Sequence, residues 1–308
     1  MIERTGARNA LEDLRLMRIT LLGTGCPQVH DRRFGPASLV QAGGRQFLVD
    51  CGSGVTHRLV AAGTSGAALE ALLLTHLHSD HLVDLYQLIV SSWHQGRERP
   101  HRIFGPAGTK AFAQATMALW QSERELRIAW ECRPSSAALE LEVVEFKEGV
   151  IWDMDGLRIG AFAVDHRPVA PAFGFRFETS GCRVAFSGDT TVCDNLVRWA
   201  AGVDLLVHEC FIHQEMLARR GGRADQGLEN VAAYHTLSSE VGKVASRAGA
   251  RMLLLNHFVP IDFDREALLA EVSADFAGPI VIGEDLLTVD VPRRAVSHRG
   301  LHLALGLG

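Results

Sequence analysis

The segment Thr75 to Leu82 constrains the fold most, because it places three histidines and one aspartate within six residues. The apolar run before it, Leu69 to Thr75, predicts a short buried strand, and the run Leu82 to His94 has the apolar spacing of a helix. His76 and His78 are two residues apart, so in extended backbone both point to the same side. Imidazole and carboxylate are ligands of zinc and other first-row divalent metals. The segment therefore predicts a metal site in a strand-to-helix turn.

Composition limits the class of protein. The 308 residues are 47% hydrophobic and 22% charged, which is ordinary for a globular protein with a sizeable core. The net charge of −5 gives no global basic field to attract nucleic acid. We find no apolar run of about 18 residues, so no membrane helix is expected, and no secretory signal. The six cysteines are scattered without a CxxC pair, which favours reduced thiols and a cytoplasmic location.

The order of predicted elements indicates the fold class. Apolar strands and helical segments alternate in both halves of the chain, which predicts an α/β fold with helices covering the sheet. We expect a lead-in over residues 1–17, a single domain over 18–292 and a weakly patterned tail over 293–308. The polar, glycine-rich segment 212–230 is the best candidate for a mobile lid.

Residues able to bind metal also follow other apolar strands. They are Asp50, Asp165-His166, Asp189, His208-Glu209 and His257. The carboxyl ends of strands are where α/β folds usually place their chemistry. Two metals would need roughly seven protein ligands together with a bridging water. The segment His76 to His81 offers four of them, so three are expected from these strand ends.

With these motifs in view, the sequence resembles the metallo-β-lactamase superfamily, which has a four-layer αβ/βα sandwich and a dinuclear metal site. The resemblance extends from about Arg18 to Val291. It rests on the HxHxDH run His76–His81, Asp165-His166, Phe186-Ser187-Gly188-Asp189-Thr190 and Leu255-Asn256-His257. It implies that His76, His78 and His166 bind one ion. It implies that Asp80, His81 and His257 bind the other, with Asp189 bridging the two.

Within that superfamily the chain is similar to the ribonuclease Z and arylsulfatase-like branch. The motifs that carry this similarity are Leu22-Gly23-Thr24-Gly25, Asp50-Cys51-Gly52, His208-Glu209 and His235-Thr236. The similarity implies that Glu209 orients His235, which would donate a proton or hydrogen bond near the leaving oxygen. Asp80 would both bind metal and orient a hydroxide that bridges the two ions. Asp50 is expected to hold the ligand loops.

One departure concerns the substrate. Bacterial ribonuclease Z carries a long arm that grips transfer RNA between the third metal ligand and the bridging aspartate, whereas only 22 residues separate His166 from Asp189 here. We therefore expect a dinuclear metal-dependent hydrolase of small anionic esters, either phosphodiesters or aryl sulfates. Its cofactors would be two divalent ions, Zn²⁺ or, as the alternative, Mn²⁺. Its partner would be a small-molecule ester, with neither a membrane nor nucleic acid, and the resemblance suggests a homodimer.

The expected charge and shape of the site both favour a small anionic ester as the substrate. Two divalent ions, the carboxylates Asp80 and Asp189, and one hydroxide sum to a local charge of about +1, which would attract an anion. Phe173, Phe211 and the candidate lid are expected to shape an apolar entrance.

Other functions stay open at this point. A lactone or lactam hydrolase could use the same metals, with Tyr86 or Tyr234 as the donor to the oxyanion. A ribonuclease Z-like RNA endonuclease is another alternative. A non-catalytic binding protein is a third, although the complete ligand set argues against it. The remaining histidines, His298 among them, are expected to be structural or at the surface.

Overall fold

The computed structural model describes residues 16–218 and 225–305. Their strands form two mixed sheets. In chain order the strands are β1 (Met17–Gly23), β2 (Ala37–Ala42), β3 (Arg45–Val49), β4 (Ala71–Leu73), β5 (His101–Gly105), β6 (Leu141–Glu145), β7 (Gly149–Met154), β8 (Leu157–Val164), β9 (Ala172–Thr179), β10 (Cys182–Phe186), β11 (Leu205–Phe211), β12 (Leu253–Val259), β13 (Ile280–Ile282), β14 (Thr288–Asp290), β15 (Ala295–His298) and β16 (Leu301–Ala304). One sheet has the order β16-β15-β14-β1-β2-β3-β4-β5-β6, and the other has the order β13-β12-β11-β10-β9-β8-β7.

The helices lie between these strands in sequence. They are α1 (Val55–Ala61), α2 (Leu85–His94), α3 (Thr109–Leu119), α4 (Gln121–Glu131), α5 (Asp194–Trp199), α6 (His213–Ala218), α7 (Asp225–Ala232), α8 (Ser238–Ala248) and α9 (Arg265–Ser273). Helix α2 begins three residues later than its apolar spacing predicts, because a short 3₁₀ turn at Ser79–His81 precedes it.

The core explains why the elements stack in four layers. Successive side chains of a strand point to opposite faces, so each strand contributes to two apolar clusters. In β3, Phe47 packs between the two sheets, whereas Leu48 packs against the helices on the outer face. In β12, Leu254 faces the other sheet and Leu253 faces α8 and α9. The predicted αβ/βα sandwich is therefore confirmed.

Strand ends bring the polar motifs to one edge of the sandwich. The pairing of β11 with β12 passes from Glu209–Asn256 to Cys210–Phe258, which leaves His257 as an extra residue in the ladder. His257 has a positive φ of 45° at this bulge, a conformation that re-aims its side chain. Gly188 has φ 61°, and a Cβ there would lie 2.5 Å from the Phe173 oxygen, so glycine is required just before Asp189.

Parts of both chain ends and of the candidate lid lie outside the described residues. Residues 1–15 and 306–308 of the predicted lead-in and tail lie outside the described residues. Within the tail, β15 and β16 form a hairpin that extends the larger sheet, which its sequence pattern did not indicate. The proposed domain division stays a prediction. Of the candidate lid 212–230, residues 219–224 are not described, and α6 and α7 flank them. No helix of the described part has the length and apolarity needed to cross a membrane.

Candidate metal centre

Seven side chains from distant parts of the sequence meet at this edge. We call them the His/Asp cluster: His76, His78, Asp80, His81, His166, Asp189 and His257. Their ligand atoms fall into two groups, and within each group all atoms lie within 4.8 Å of one another. One group contains His76, His78, His166 and Asp189, and the other contains Asp80, His81 and His257. The structure thus brings together all seven residues in the two sets that the resemblance implied.

Distances in the first group are those of ligands around a common centre. His78 Nδ1 lies 3.0 Å from His76 Nε2 and 3.2 Å from His166 Nε2. Bonds of about 2.0–2.1 Å in a tetrahedral zinc site would separate ligand atoms by about 3.3 Å. His166 Nδ1 donates to the carbonyl oxygen of Tyr234 at 2.8 Å, so in the neutral ring Nε2 carries a lone pair directed into the group.

Ligand atoms of the second group also surround a common centre, and this group adjoins the first. His81 Nε2 lies 3.2 Å from His257 Nε2, and Asp80 Oδ2 lies 3.4 Å from His257 Nε2. Asp189 Oδ2 lies 3.3 Å from both His81 Nε2 and His257 Nε2, and 3.9 Å from His76 Nε2. One carboxylate oxygen therefore stands between the two groups.

The donor set fits divalent cations. Asp80 Oδ2 is buried without a hydrogen-bond donor among the described residues, a costly state for a carboxylate unless a cation is present. Imidazole Nε2 atoms that face one another at these distances cannot all be satisfied by hydrogen bonds, because each neutral ring offers one donor. Five imidazoles and two carboxylates match the nitrogen and oxygen donors that Zn²⁺ binds.

A buried hydrogen-bond network holds the cluster in place. The carboxylate of Asp50, which follows β3 with φ 61°, accepts from Thr75 N at 2.8 Å and from His81 Nδ1 at 2.8 Å. Thr75 Oγ1 in turn lies 2.9 Å from His76 Nδ1. These contacts orient both rings and leave their Nε2 atoms toward the cluster. Asp50 thus lies where the sequence predicted a supporting carboxylate.

Burial and neighbouring charges perturb the titration of the cluster. Burial, with the neighbouring His81, holds the pKa of His76 well below its usual value. Burial lowers the pKa of His166 to about 4. Burial alone would raise the pKa of the Asp189 carboxyl, but His257 and His81 hold it well below its usual range. Burial alone would also lower the pKa of His81 and His257, but Asp189 raises the pKa of His81 well above its usual value and that of His257 above it. The lowered pKa values keep His76 and His166 neutral, as metal binding requires, whereas an ion at His81 and His257 would displace their protons.

A second buried pair lies beside the cluster. His235 Nδ1 donates to Glu209 Oε2 at 2.7 Å, and Glu209 Oε1 accepts from Thr190 N at 2.6 Å. The ring of His235 lies 5.2 Å from that of His166 and 5.8 Å from that of His257, so it adjoins both ligand groups. Burial lowers the pKa of His235, and burial with the nearby Asp189 raises that of Glu209 well above its usual value.

Several residues expected near the entrance lie elsewhere. Phe173 is buried between the two sheets. Phe211 is buried and stacks 5.9 Å from the His235 ring, so neither phenylalanine shapes an apolar entrance. Tyr86 donates to Glu123 at 2.5 Å and stacks on Trp120, away from the cluster, which removes it as an oxyanion donor.

One family model and several curated proteins match most of this chain. A family model described as "Anti-Pycsar protein Apyc1" matches residues 17–219. A protein named Ribonuclease Z from Mycobacterium bovis is 39% identical over 285 residues, which cover 91% of this chain and 100% of that protein. Ribonuclease Z from Mycobacterium marinum is 38% identical over 284 residues, with the same coverage of both chains.

Solved structures agree on the fold. The metallo-β-lactamase fold protein YhfI from Bacillus subtilis superimposes with a TM-score of 0.68 at 22% identity, covering 89% of this chain and 98% of that one. The short form of human tRNase Z gives 0.67 at 22% identity, covering 90% and 100%. These low identities support the architecture alone.

The expectation about partners was wrong. We predicted a small-molecule ester and no nucleic acid, yet the curated relatives that align with nearly the whole chain are ribonucleases by name. Only β9 and β10 separate His166 from Asp189, so the missing arm was observed correctly but given too much weight. The net charge of the chain also predicted RNA binding poorly. It describes the electrostatic field far from the protein, whereas a strand of RNA is bound by local charged groups.

Proposed function

This chain belongs to the ribonuclease Z branch of the metallo-β-lactamase superfamily, and from that premise we propose that it is a metal-dependent endonuclease that hydrolyses RNA phosphodiester bonds. Precursor transfer RNA is the proposed substrate class, since relatives spanning nearly the whole chain are named Ribonuclease Z. The observation that carries the chemistry is the position of Asp189 Oδ2, within 3.9 Å of Nε2 atoms from both ligand groups. Such an arrangement suits paired ions acting on one phosphodiester.

Two ions would be held by the two groups of the His/Asp cluster. His76, His78 and His166 would bind one, and Asp80, His81 and His257 the other, with Asp189 shared. Imidazole predominates over carboxylate in this set, which favours Zn²⁺ over Mn²⁺. When bound, the ions would lower the pKa of water and neutralise the charge that develops on the phosphate.

His235 is the proposed proton donor to the leaving oxygen. Its Nδ1–H donates to Glu209, which fixes the ring and leaves Nε2 available to a substrate. Nε2 would take a proton from solvent to form the imidazolium, and this Nε2–H would pass to the leaving oxygen, which returns the ring to its neutral form. Glu209 is itself held by Thr190 N and, at 3.4 Å, by Thr236 N. Glu209 therefore acts as a positioning residue and His235 as the residue that touches the reacting atoms.

Asp80 is proposed to orient the attacking water. Its Oδ2 atom lies among the imidazoles of the second group, 3.6 Å from His81 Nε2 and 3.4 Å from His257 Nε2. A carboxylate that contributes one oxygen to an ion keeps the other oxygen as a hydrogen-bond acceptor. That second oxygen would hold the water in line with the phosphorus.

A substrate panel tests the proposal. Metal-loaded protein would be assayed on a precursor transfer RNA, bis(p-nitrophenyl) phosphate, p-nitrophenyl sulfate and an aryl lactone, alongside His76→Ala. We expect cleavage of the RNA and of the phosphodiester, and loss of both in the variant. The matched control is His57→Ala, which removes an exposed histidine and should keep full activity. A fully metal-loaded protein that leaves the RNA intact, or that hydrolyses only the lactone, would refute the proposal.

A further inference from the structure

A chain with a net charge of −5 must hold RNA through a local group of cations, because phosphate contacts dominate the affinity of proteins for nucleic acids. One such group lines a cavity of about 450 Å³, which we call the Arg299 pocket. It is formed by the loop after β1, the segment from the end of β12 into α9, and the turn of the β15–β16 hairpin. Its arginines are Arg32, Arg33, Arg265 and Arg299.

Positive charge in the Arg299 pocket exceeds negative charge. Four arginines and two carboxylates, Asp262 and Glu284, line the pocket, so the net charge of the lining is +2 when both lining histidines are neutral. Arg33 is buried and already donates to Thr24, Gly283 and Glu284, so Arg32, Arg265 and Arg299 are the cations that a ligand can reach. Glu284 is shared, since it pairs with Arg33 at 3.0 Å and also with Arg265. Within the described residues Arg299 forms no ion pair, which leaves its guanidinium available to a ligand.

A buried polar atom also belongs to this pocket. His298 lines the cavity, and its Nε2 atom is buried without a hydrogen-bond partner among the described residues. Buried polar atoms are nearly always paired, so a buried atom without a partner next to the unpaired Arg299 indicates a missing polar ligand. Guanidinium groups prefer phosphate oxygens, which accept two parallel hydrogen bonds from one arginine.

The Arg299 pocket adjoins the proposed catalytic edge. The guanidinium carbon of Arg33 lies 4.7 Å from the centre of the Phe258 ring, and Phe258 directly follows His257 of the His/Asp cluster. Ile261, which lines the pocket, is four residues beyond His257, so their Cα atoms are at most about 14 Å apart. A strand of RNA whose phosphodiester lies at the cluster could therefore reach the pocket within a few nucleotides.

We propose that the Arg299 pocket binds backbone phosphates of the RNA substrate next to the bond that is cleaved, in place of a protruding arm. This inference rests on the proposed endonuclease function. Its sequence-independent contacts would come from residues that are far apart in the chain and meet only in the fold.

The test compares an altered pocket with a matched arginine elsewhere. The variant is Arg265→Gln combined with Arg299→Asn; asparagine tolerates the positive φ of 49° at residue 299. The control is Arg247→Gln. Arg247 has a side-chain exposure of 49% against 52% for Arg265, and each is paired with one carboxylate. Arg247 lies near the end of α8, which precedes β12 and so stands at the opposite edge from His257.

The measurement is kcat/KM on a precursor transfer RNA as a function of NaCl concentration. Losing two phosphate contacts should make the slope of log(kcat/KM) against log[NaCl] shallower by about 1.4, at about 0.7 per contact with a single strand. KM should rise about tenfold at low salt, whereas Arg247→Gln should match wild type. Metal content checks that the double variant is folded. If the double variant does not fold, Arg299→Asn alone replaces it, and the slope should then become shallower by about 0.7.

Two kinds of failure can be told apart. If wild type cleaves RNA and the pocket variants keep its KM and salt slope, the Arg299 pocket is not a phosphate site. If metal-loaded wild type leaves RNA intact, the endonuclease function fails, and binding of the same intact RNA can be titrated directly. Weaker, less salt-dependent binding by the pocket variants would then support the pocket, and unchanged binding would overturn it.

Discussion

Buried carboxylates are neutralised differently in two regions of this molecule. Glu70 is surrounded by arginines: its Oε2 accepts from Arg45 at 3.1 Å and Arg99 at 3.0 Å, and its Oε1 accepts from Arg102 at 3.2 Å. Burial would raise the pKa of the Glu70 carboxyl, but these arginines, Arg99 foremost, lower it. Both carboxylate oxygens therefore find donors within the chain.

The His/Asp cluster lacks such internal donors. In the part of the chain that the structure describes, Asp80 Oδ2 has no hydrogen bond, and Nε2 atoms face one another where donors would be expected. The carboxylates of Glu70 and Asp80 are buried to a similar extent, with 11% and 9% of their side chains exposed, so burial of a carboxylate does not distinguish a structural cluster from a metal centre. The distinguishing property is whether the chain itself supplies the donors, and predictions that remove one charge from each region test this interpretation.

The largest effect is expected from Asp189→Asn, which removes a charge from the His/Asp cluster at nearly constant shape. If Asp189 bridges two ions, the variant should lose metal from both groups and about 1,000-fold or more in activity, because several kcal/mol of charge stabilisation disappear. Metal analysis and kcat on RNA measure both effects. The control is Asp165→Asn, whose carboxylate pairs with Arg167 at the surface. An Asp189→Asn protein that keeps two ions would show that Asp189 is not shared.

His235→Ala should separate proton donation from metal binding. General acid catalysis contributes about 100- to 10,000-fold, so kcat should fall within that range while metal content stays at the wild-type level. Glu209→Gln should have a smaller effect, because it loosens the position of the ring without removing it. Loss of metal from His235→Ala would make His235 part of the metal centre instead.

Much of the metal centre was predictable because it depends on local sequence. The HxHxDH run and the polar residues after apolar strands include every member of the His/Asp cluster, and the resemblance selected those members from the other polar residues. Periodicity predicted an α/β fold with helices covering the sheet, and the resemblance implied its four layers. Strand ends of one sheet share an edge, so their residues meet without any knowledge of loop conformation.

What could not be predicted depends on long-range contacts. Arg32, Arg265 and Arg299 converge on one pocket, yet no sequence spacing relates them. The β15–β16 hairpin has exposed or half-buried residues throughout and so lacks an alternating apolar pattern. Phe173 and Phe211 were placed at an entrance because aromatic residues near loops suggest pockets, whereas their burial follows from sheet packing.

Glu70→Gln removes the charge from the carboxylate that accepts hydrogen bonds from Arg45, Arg99 and Arg102. Removing the charge leaves Arg99 without a counter-ion among the described residues, while Arg45 and Arg102 keep Asp155 and Glu142. Charge-assisted hydrogen bonds to a buried carboxylate contribute up to about 3 kcal/mol. We expect the free energy of unfolding, from urea denaturation, to fall by about 3 kcal/mol, with RNA cleavage and metal content unchanged. The same loss should appear with and without a chelator. A loss that depends on metal would mean that the two regions are coupled.

The smallest expected effect concerns His101, which lies at the start of β5 beside the same arginines. Burial, reinforced by Arg97 and Arg99, lowers the pKa of His101 to about 3, and its Nε2 has no hydrogen-bond partner within residues 16–218 and 225–305. In the unfolded chain the pKa returns to about 6.5, so between pH 6.5 and 3 the unfolded state binds the additional proton. Stability from this neutral histidine is therefore complete above pH 6.5 and decreases as the pH falls toward 3.

His101→Leu removes this titration while keeping an apolar volume. At about 1.4 kcal/mol per pH unit, wild type should lose about 2 kcal/mol more than the variant between pH 7 and pH 5 in urea unfolding. His57→Ala, at an exposed position, controls for removal of a histidine that is already solvated. Equal pH dependence in wild type and His101→Leu would show that His101 is charged in the folded protein. Arg97 and Arg99 would then destabilise the protonated ring of His101 less than expected. The carboxylate of Glu70, which pairs with Arg99, would neutralise more of their positive charge than its hydrogen bonds indicate.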